Sequence, residues 1–150
     1  MRGSLVVAAI AACLLLAGCE GDDNPNNPTP ASLSSALDVF GAQGIALSNV
    51  VSGDAGCSNT DLAHAAVSFD AKGLDQTTPT RIYLYGFRNK TVFQQNLPAV
   101  DACARSYVTD PAAYANVQAS PFVLAGPGPW APAFGDRLRA ALTKAAGNGG

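Results

Sequence analysis

The chain has one histidine, one tryptophan and one methionine, and Glu20 is its only glutamate. A single histidine argues against a His-rich metal centre, and it leaves His64 to carry any imidazole chemistry alone. Charge is also sparse. Asp, Glu, Lys and Arg together make 13% of 150 residues, with 9 basic against 11 acidic and a formal net charge of −2. There is no run of Lys or Arg and no basic stripe, which argues against nucleic acid as a partner. No internal repeat is visible, which excludes solenoid and propeller architectures. The phosphate-binding signatures are missing too. Gly53-Asp54-Ala55-Gly56 leads into a helix start, but it lacks the Lys-Ser/Thr of a P-loop and the third glycine of a dinucleotide fingerprint, so it reads as a turn before Cys57.

What is present begins at the amino terminus. Met1-Arg2 gives a short positive start, and Leu5 to Ala17 is an uncharged apolar run. About thirteen residues of helix are too short for a hydrocarbon core that needs about twenty. The length and flanks suit the hydrophobic region of an export signal. Leu16-Ala17-Gly18-Cys19 then resembles the lipobox of bacterial lipoproteins. That resemblance covers residues 1–19 alone, and no family is recognised for the domain that follows. It implies that the Cys19 thiol receives a diacylglyceryl group, that cleavage occurs before Cys19, and that the new amine is open to acylation by palmitate or a similar chain. Two or more acyl chains hold a protein stably on a bilayer, where one binds reversibly. The mature chain then needs no membrane-spanning helix, and its partners include the membrane itself. Glu20 follows the cysteine. In Gram-negative lipoproteins an Asp there favours inner-membrane retention, so the Glu favours the outer membrane.

Residues 20–31 combine acid, Asn and Pro without a large apolar side chain, the composition of a flexible leash. The expected organisation is therefore a signal at 1–18, a lipidated cysteine and leash at 19–31, one domain at 32–147 and a tail at 148–150. About 115 residues suffice for one compact domain. Four cysteines are present. With Cys13 removed in the leader and Cys19 lipidated, Cys57 and Cys103 remain as a pair in an oxidising compartment, read as one disulfide. A metal pair is a poor alternative with one His, and a redox pair would more often be CxxC. No cofactor and no metal site is expected.

The domain reads as α+β. Ser32 is placed to cap a helix through Phe40, and strands are expected over 45–51, 66–71 and 80–87. Residues 60–71 also fit a helical stripe, in which case a three-stranded βαβ arrangement is the alternative. Thr91 is placed to cap a helix, Pro98 to start a further helical stretch to Tyr107, Val117–Ala125 to form a strand, and 132–146 to form the last helix. The expected sheet is small, antiparallel or mixed, of three to four strands. The candidate topology is the ferredoxin-like β-α-β-β-α-β order with a helix added at each end.

Three functional readings follow. The leading one is a non-enzymatic envelope lipoprotein that binds an envelope protein or cell-surface polymer, or acts as a structural accessory. Its candidate surface is Arg81, Tyr83, Tyr85, Phe87 and Trp130, where aromatic rings beside an arginine could stack on a ligand. Burial of that strand between helices, and of Trp130 over the core edge, is the competing expectation. The second is a small hydrolase using His64 with Asp residues. Asp61, His64 and Ser68 supply triad atoms, but on one helix they project in parallel instead of converging, and no catalytic residue is assigned. The third is a small-molecule sensor using the Tyr83/Tyr85/Phe87 face.

Overall fold

A computed structural model describes residues 30–147. The leader, Cys19, the leash as far as Thr29 and the tail at 148–150 fall outside the described residues, and Pro30 and Ala31, expected in the leash, belong to the first helix. In chain order the elements are α1 (Pro30–Ala42), β1 (Ala46–Ser52), α2 (Thr60–Ala63), β2 (Ala66–Gly73), β3 (Gln76–Gly86), α3 (Lys90–Ala104), a 3-10 turn at Pro111–Ala113, β4 (Tyr114–Ala119), β5 (Phe122–Pro127) and α4 (Pro132–Ala146). The sheet has five strands in the order β1-β2-β3-β5-β4, and every neighbouring pair is antiparallel. This is an α+β fold with one strand more than expected: the β-α-β-β-α-β succession runs from β1 to β4, but with a fifth strand and only antiparallel neighbours the sheet does not have the split βαβ pairing of a ferredoxin-like sandwich.

The extra strand comes from the segment read as one strand over 117–125. It is a hairpin, with Ser120 and Pro121 at the turn and Ala119 facing Phe122. Pro121 therefore marks a reversal, where a missing N–H costs no ladder bond, next to β4 at the edge of the sheet. Residues 66–71 are strand, so the βαβ alternative does not arise. Pro98 does not begin a new helix, because α3 runs through it unbroken. Its ring nitrogen removes the donor that would meet the Gln94 carbonyl. Two residues earlier, Asn96 Nδ2 donates to the Val92 carbonyl at 2.8 Å. The α3 cap is Asn89, not Thr91: its Oδ1 accepts from the Val92 N–H at 2.9 Å. Ser32 lies within α1, which starts at Pro30.

The sheet is the middle of three layers, and β3 explains why. Its two faces are both apolar, so each must be covered. Ile82 and Leu84 join Phe69, Leu124, Phe40 of α1 and Phe134, Leu138 and Leu142 of α4 in one core. Tyr83, Tyr85 and Phe87 join Val123, Leu62 of α2 and Phe93 and Val100 of α3 in the other. At about 25 cal/mol per Å² of apolar burial, these two cores are the main stabilising contribution.

The start of α4 is held from a distance. Its N-cap residue, Ala131, offers no side-chain acceptor. Asp75, in the β2–β3 turn, takes that role: Oδ2 accepts from Ala133 N–H at 2.9 Å and Oδ1 from Phe134 N–H at 2.8 Å. Gln76 adds an acceptor for the Ala131 N–H at 3.1 Å. The Ala133 hydrogen bond is the largest influence on the Asp75 carboxyl, whose pKa is held below its ordinary value of 3.8. A lowered folded pKa contributes stability that is present above the unfolded value and lost as pH falls through the folded one. Asp75→Ala is therefore expected to lower the melting temperature at pH 7 and to flatten the loss of stability below pH 4. Thermal melts across that range check it, and parallel curves for the two proteins would refute the long-range cap.

Candidate polar site and the aromatic face

The strand register assembles a polar cluster on the sheet face that carries the tyrosines. Asp70 sits opposite Arg81 and Ser68 opposite Tyr83 in the β2–β3 pair. Residues directly opposed in an antiparallel pair bring their side chains within reach of each other. Arg81 Nε meets Asp70 Oδ1 at 3.0 Å, with both side chains partly exposed. A second guanidinium nitrogen donates to Ser68 Oγ at 3.1 Å and to the Asn49 carbonyl at 3.3 Å. Asn49 lies where the β1–β2 register shifts, with φ of 51°, and its Nδ2 donates to Asp70 Oδ2 at 2.7 Å. Asparagine tolerates this left-handed conformation better than most residues. Ser68 is fully buried, and its hydroxyl donates to Asp54 Oδ2 at 2.6 Å.

Asp54 belongs to the Gly53–Gly56 turn. Its other oxygen accepts from the Gly56 N–H at 2.9 Å, so this turn closes on its own carboxylate. The result is a chain of charge-assisted bonds that joins the β1 bulge, two central strands and the loop leading to Cys57. Every ionised group in it has a partner of opposite charge or a hydrogen-bond donor. The arrangement can orient and fix a surface, and it leaves Ser68 Oγ committed to Asp54 and Arg81.

Beside it lies the aromatic layer. The strand places Tyr85 in the core at 0% exposure, with Tyr83 at 8% and Phe87 at 4%. This row is packing material under α3, not an open platform. Tyr83 stacks on Tyr107 with ring centroids 4.4 Å apart. The Tyr85 hydroxyl donates to the Ala55 carbonyl at 2.8 Å, which satisfies it in the core. Burial raises the pKa of Tyr83 above 10.0, and the Asp54 carboxylate adds to the effect. Burial likewise pushes up Tyr85, Tyr107 and Tyr114. Trp130 is half-buried against the other core, and its Nε1 donates to the Pro127 carbonyl at 3.0 Å. Of the sequence-derived surface, then, Arg81 is partly open and Trp130 is folded back.

Cys57 and Cys103 form a disulfide with Cα atoms 5.4 Å apart. Cys57 follows the Asp54 turn and Cys103 lies in the last turn of α3, so the bridge fastens α3 to the loop that the polar cluster holds.

Asp61, His64 and Ser68 do not converge. Asp61 is in α2, His64 ends it, and Ser68 is in β2 bonded to Asp54 and Arg81. His64 is exposed, and its side chain makes no hydrogen bond or ion pair among the described residues. No group of three or more His, Cys, Asp or Glu suited to a metal occurs among the described residues. The Asn49–Asp54–Ser68–Asp70–Arg81 cluster is absent from the sequence-level candidates except for Arg81, Asp54 and Ser68 singly. The available signal was the polar residues on a strand otherwise suited to burial.

Fold and site together define a small, disulfide-bridged, three-layer α+β domain with a self-paired polar cluster on one face. Comparisons with protein-family models, with curated proteins and with solved structures find no match to this chain.

Proposed function

We propose that the protein is a lipid-anchored lipoprotein of the bacterial cell envelope whose folded domain binds or braces a partner without catalysing a reaction. The observation that carries the reading is Leu16-Ala17-Gly18-Cys19 placed directly after a short apolar run. Two structural features support it. The Cys57–Cys103 disulfide suits an oxidising, extracytoplasmic compartment. Among the described residues no helix is long and apolar enough to cross a membrane, so attachment in this reading rests on the acyl chains.

The non-enzymatic part of the reading rests on how the polar groups are used. Ser68, Asp54, Asp70 and Arg81 satisfy one another, whereas a nucleophile needs an adjacent base and a free path to substrate. The domain faces the extracytoplasmic side, on the outer membrane where there are two, and its partner is an envelope protein or a cell-surface polymer. The test is Cys19→Ser. The substitution removes the thiol that takes the diacylglyceryl group, and the protein is expected to lose incorporation of labelled palmitate with its Cys57–Cys103 disulfide intact. A Cys19→Ser protein that incorporates labelled palmitate to the same extent as the parent would overturn the anchor.

A further inference from the structure

We propose that the groove between α1 and the ends of β1 and β2 binds a single-chain amphiphile, an apolar tail ending in a carboxylate. The groove has a volume of about 420 Å³. That lies in the range of small-molecule sites. Its walls are Leu33 and Leu37 of α1, Val50 of β1 and Val67 of β2, with His64 and Arg88 also lining it. No Asp or Glu lines it. Val50 is 51% exposed, one of only a few large apolar side chains in open solvent among the described residues. An exposed apolar wall of this kind loses unfavourable hydration when a tail covers it.

Gly86 shapes the groove. A Cβ there would come within 2.8 Å of Leu33 Cδ2 and 3.2 Å of the Phe122 ring, so the glycine lets the α1 wall lie close against β3.

Charge selects the head group. Neither Arg88 nor His64 has an ion-pair partner among the described residues. One permanent cation beside an apolar channel matches one anionic head. The planar guanidinium fork of Arg88 presents two parallel donors to a carboxylate. The site does not depend on the lipid anchor, so the two proposals stand or fall separately.

The test uses the full chain from whichever fraction it is recovered, a decanoic acid analogue with a diazirine at its tail end, and the matching trimethylammonium analogue. After irradiation, labelled peptides are mapped by mass spectrometry. The expected result is labelling of the peptides carrying Leu33, Leu37 and Val50, with the carboxylate analogue about fivefold above the ammonium analogue, the ratio of a partly exposed ion pair. Arg88 is exposed, so Arg88→Gln leaves the fold intact, checked by an unchanged melting temperature, and brings the two analogues to parity. Equal labelling by both analogues in the parent, labelling confined to other peptides, or no labelling because the amino-terminal segment fills the groove would each overturn the proposal. So would a Gln variant that keeps the parent's preference.

Discussion

Reduction of the Cys57–Cys103 bridge is expected to lower the unfolding free energy by about 4 kcal/mol, the chain-entropy value for a loop of this length. The two cysteines are 46 residues apart, and the segment between them holds α2, β2, β3 and most of α3. Opening the bridge frees that whole segment in the unfolded chain. The folded protein also loses the link that holds the last turn of α3 to the loop before α2. A domain of this size has a total stability of only about 5–15 kcal/mol, so the loss is a large fraction of it. Urea denaturation of the oxidised and reduced proteins at equal pH measures the effect, and the Cys57→Ala/Cys103→Ala protein is expected to follow the reduced curve. A difference below about 1 kcal/mol would mean that face packing alone positions α3.

Gly56→Ala is expected to destabilise the domain by about 3 kcal/mol. Gly56 adopts φ of 76° between the Asp54 turn and the disulfide. A left-handed conformation costs a side-chain-bearing residue about 1–2 kcal/mol. The added Cβ would also meet the Tyr83 ring at 2.7 Å and the Tyr107 ring at 2.8 Å. Those rings are stacked on each other and cannot both retreat, so an overpacking penalty of about 1–3 kcal/mol is added. Gly41 is the control, since a Cβ there would meet nothing within 4 Å. Urea midpoints of the two alanine variants make the comparison. If Gly56→Ala were as mild as Gly41→Ala, the stacked pair would not be the rigid lid over this turn that the geometry indicates.

Much of the architecture was legible in the amino-acid order because the driving patterns are local. The run Thr80 to Phe87 shows two apolar faces, and it became the strand whose faces seed both cores. The last helix matches its expected span of 132–146 because Phe134, Leu138, Ala141 and Leu142 keep helical spacing and Gly147 stops it. The cysteine pairing followed from counting, once two of the four were assigned to the leader and the lipid.

What escaped depended on long-range geometry. The β4–β5 hairpin was hidden because Pro121 has the same local signature at a turn as at a strand edge. The cap of α4 could not be found near α4, because its acceptor, Asp75, lies in a turn 58 residues upstream of Ala133. Counting back from a tight turn at Leu74–Asp75 also fails to find the polar cluster. Gly73 faces Gln76, but a register shift then sets Asp70 against Arg81 instead of Pro79. Only that shift brings the carboxylate to the guanidinium. The aromatic row beside Arg81 fits both a stacking surface and a strand buried between helices, and α3 lying over it gives the buried reading.

We propose above that acyl chains at Cys19 hold this domain on a bilayer, and the intact mass of the protein purified from its native membrane decides between that anchor and none. The expected product is a polypeptide beginning at Cys19 that is heavier than its sequence by a diacylglyceryl group, with or without one further acyl chain. A mass equal to the unmodified polypeptide, whether it starts at Met1 or at any other residue, would contradict it.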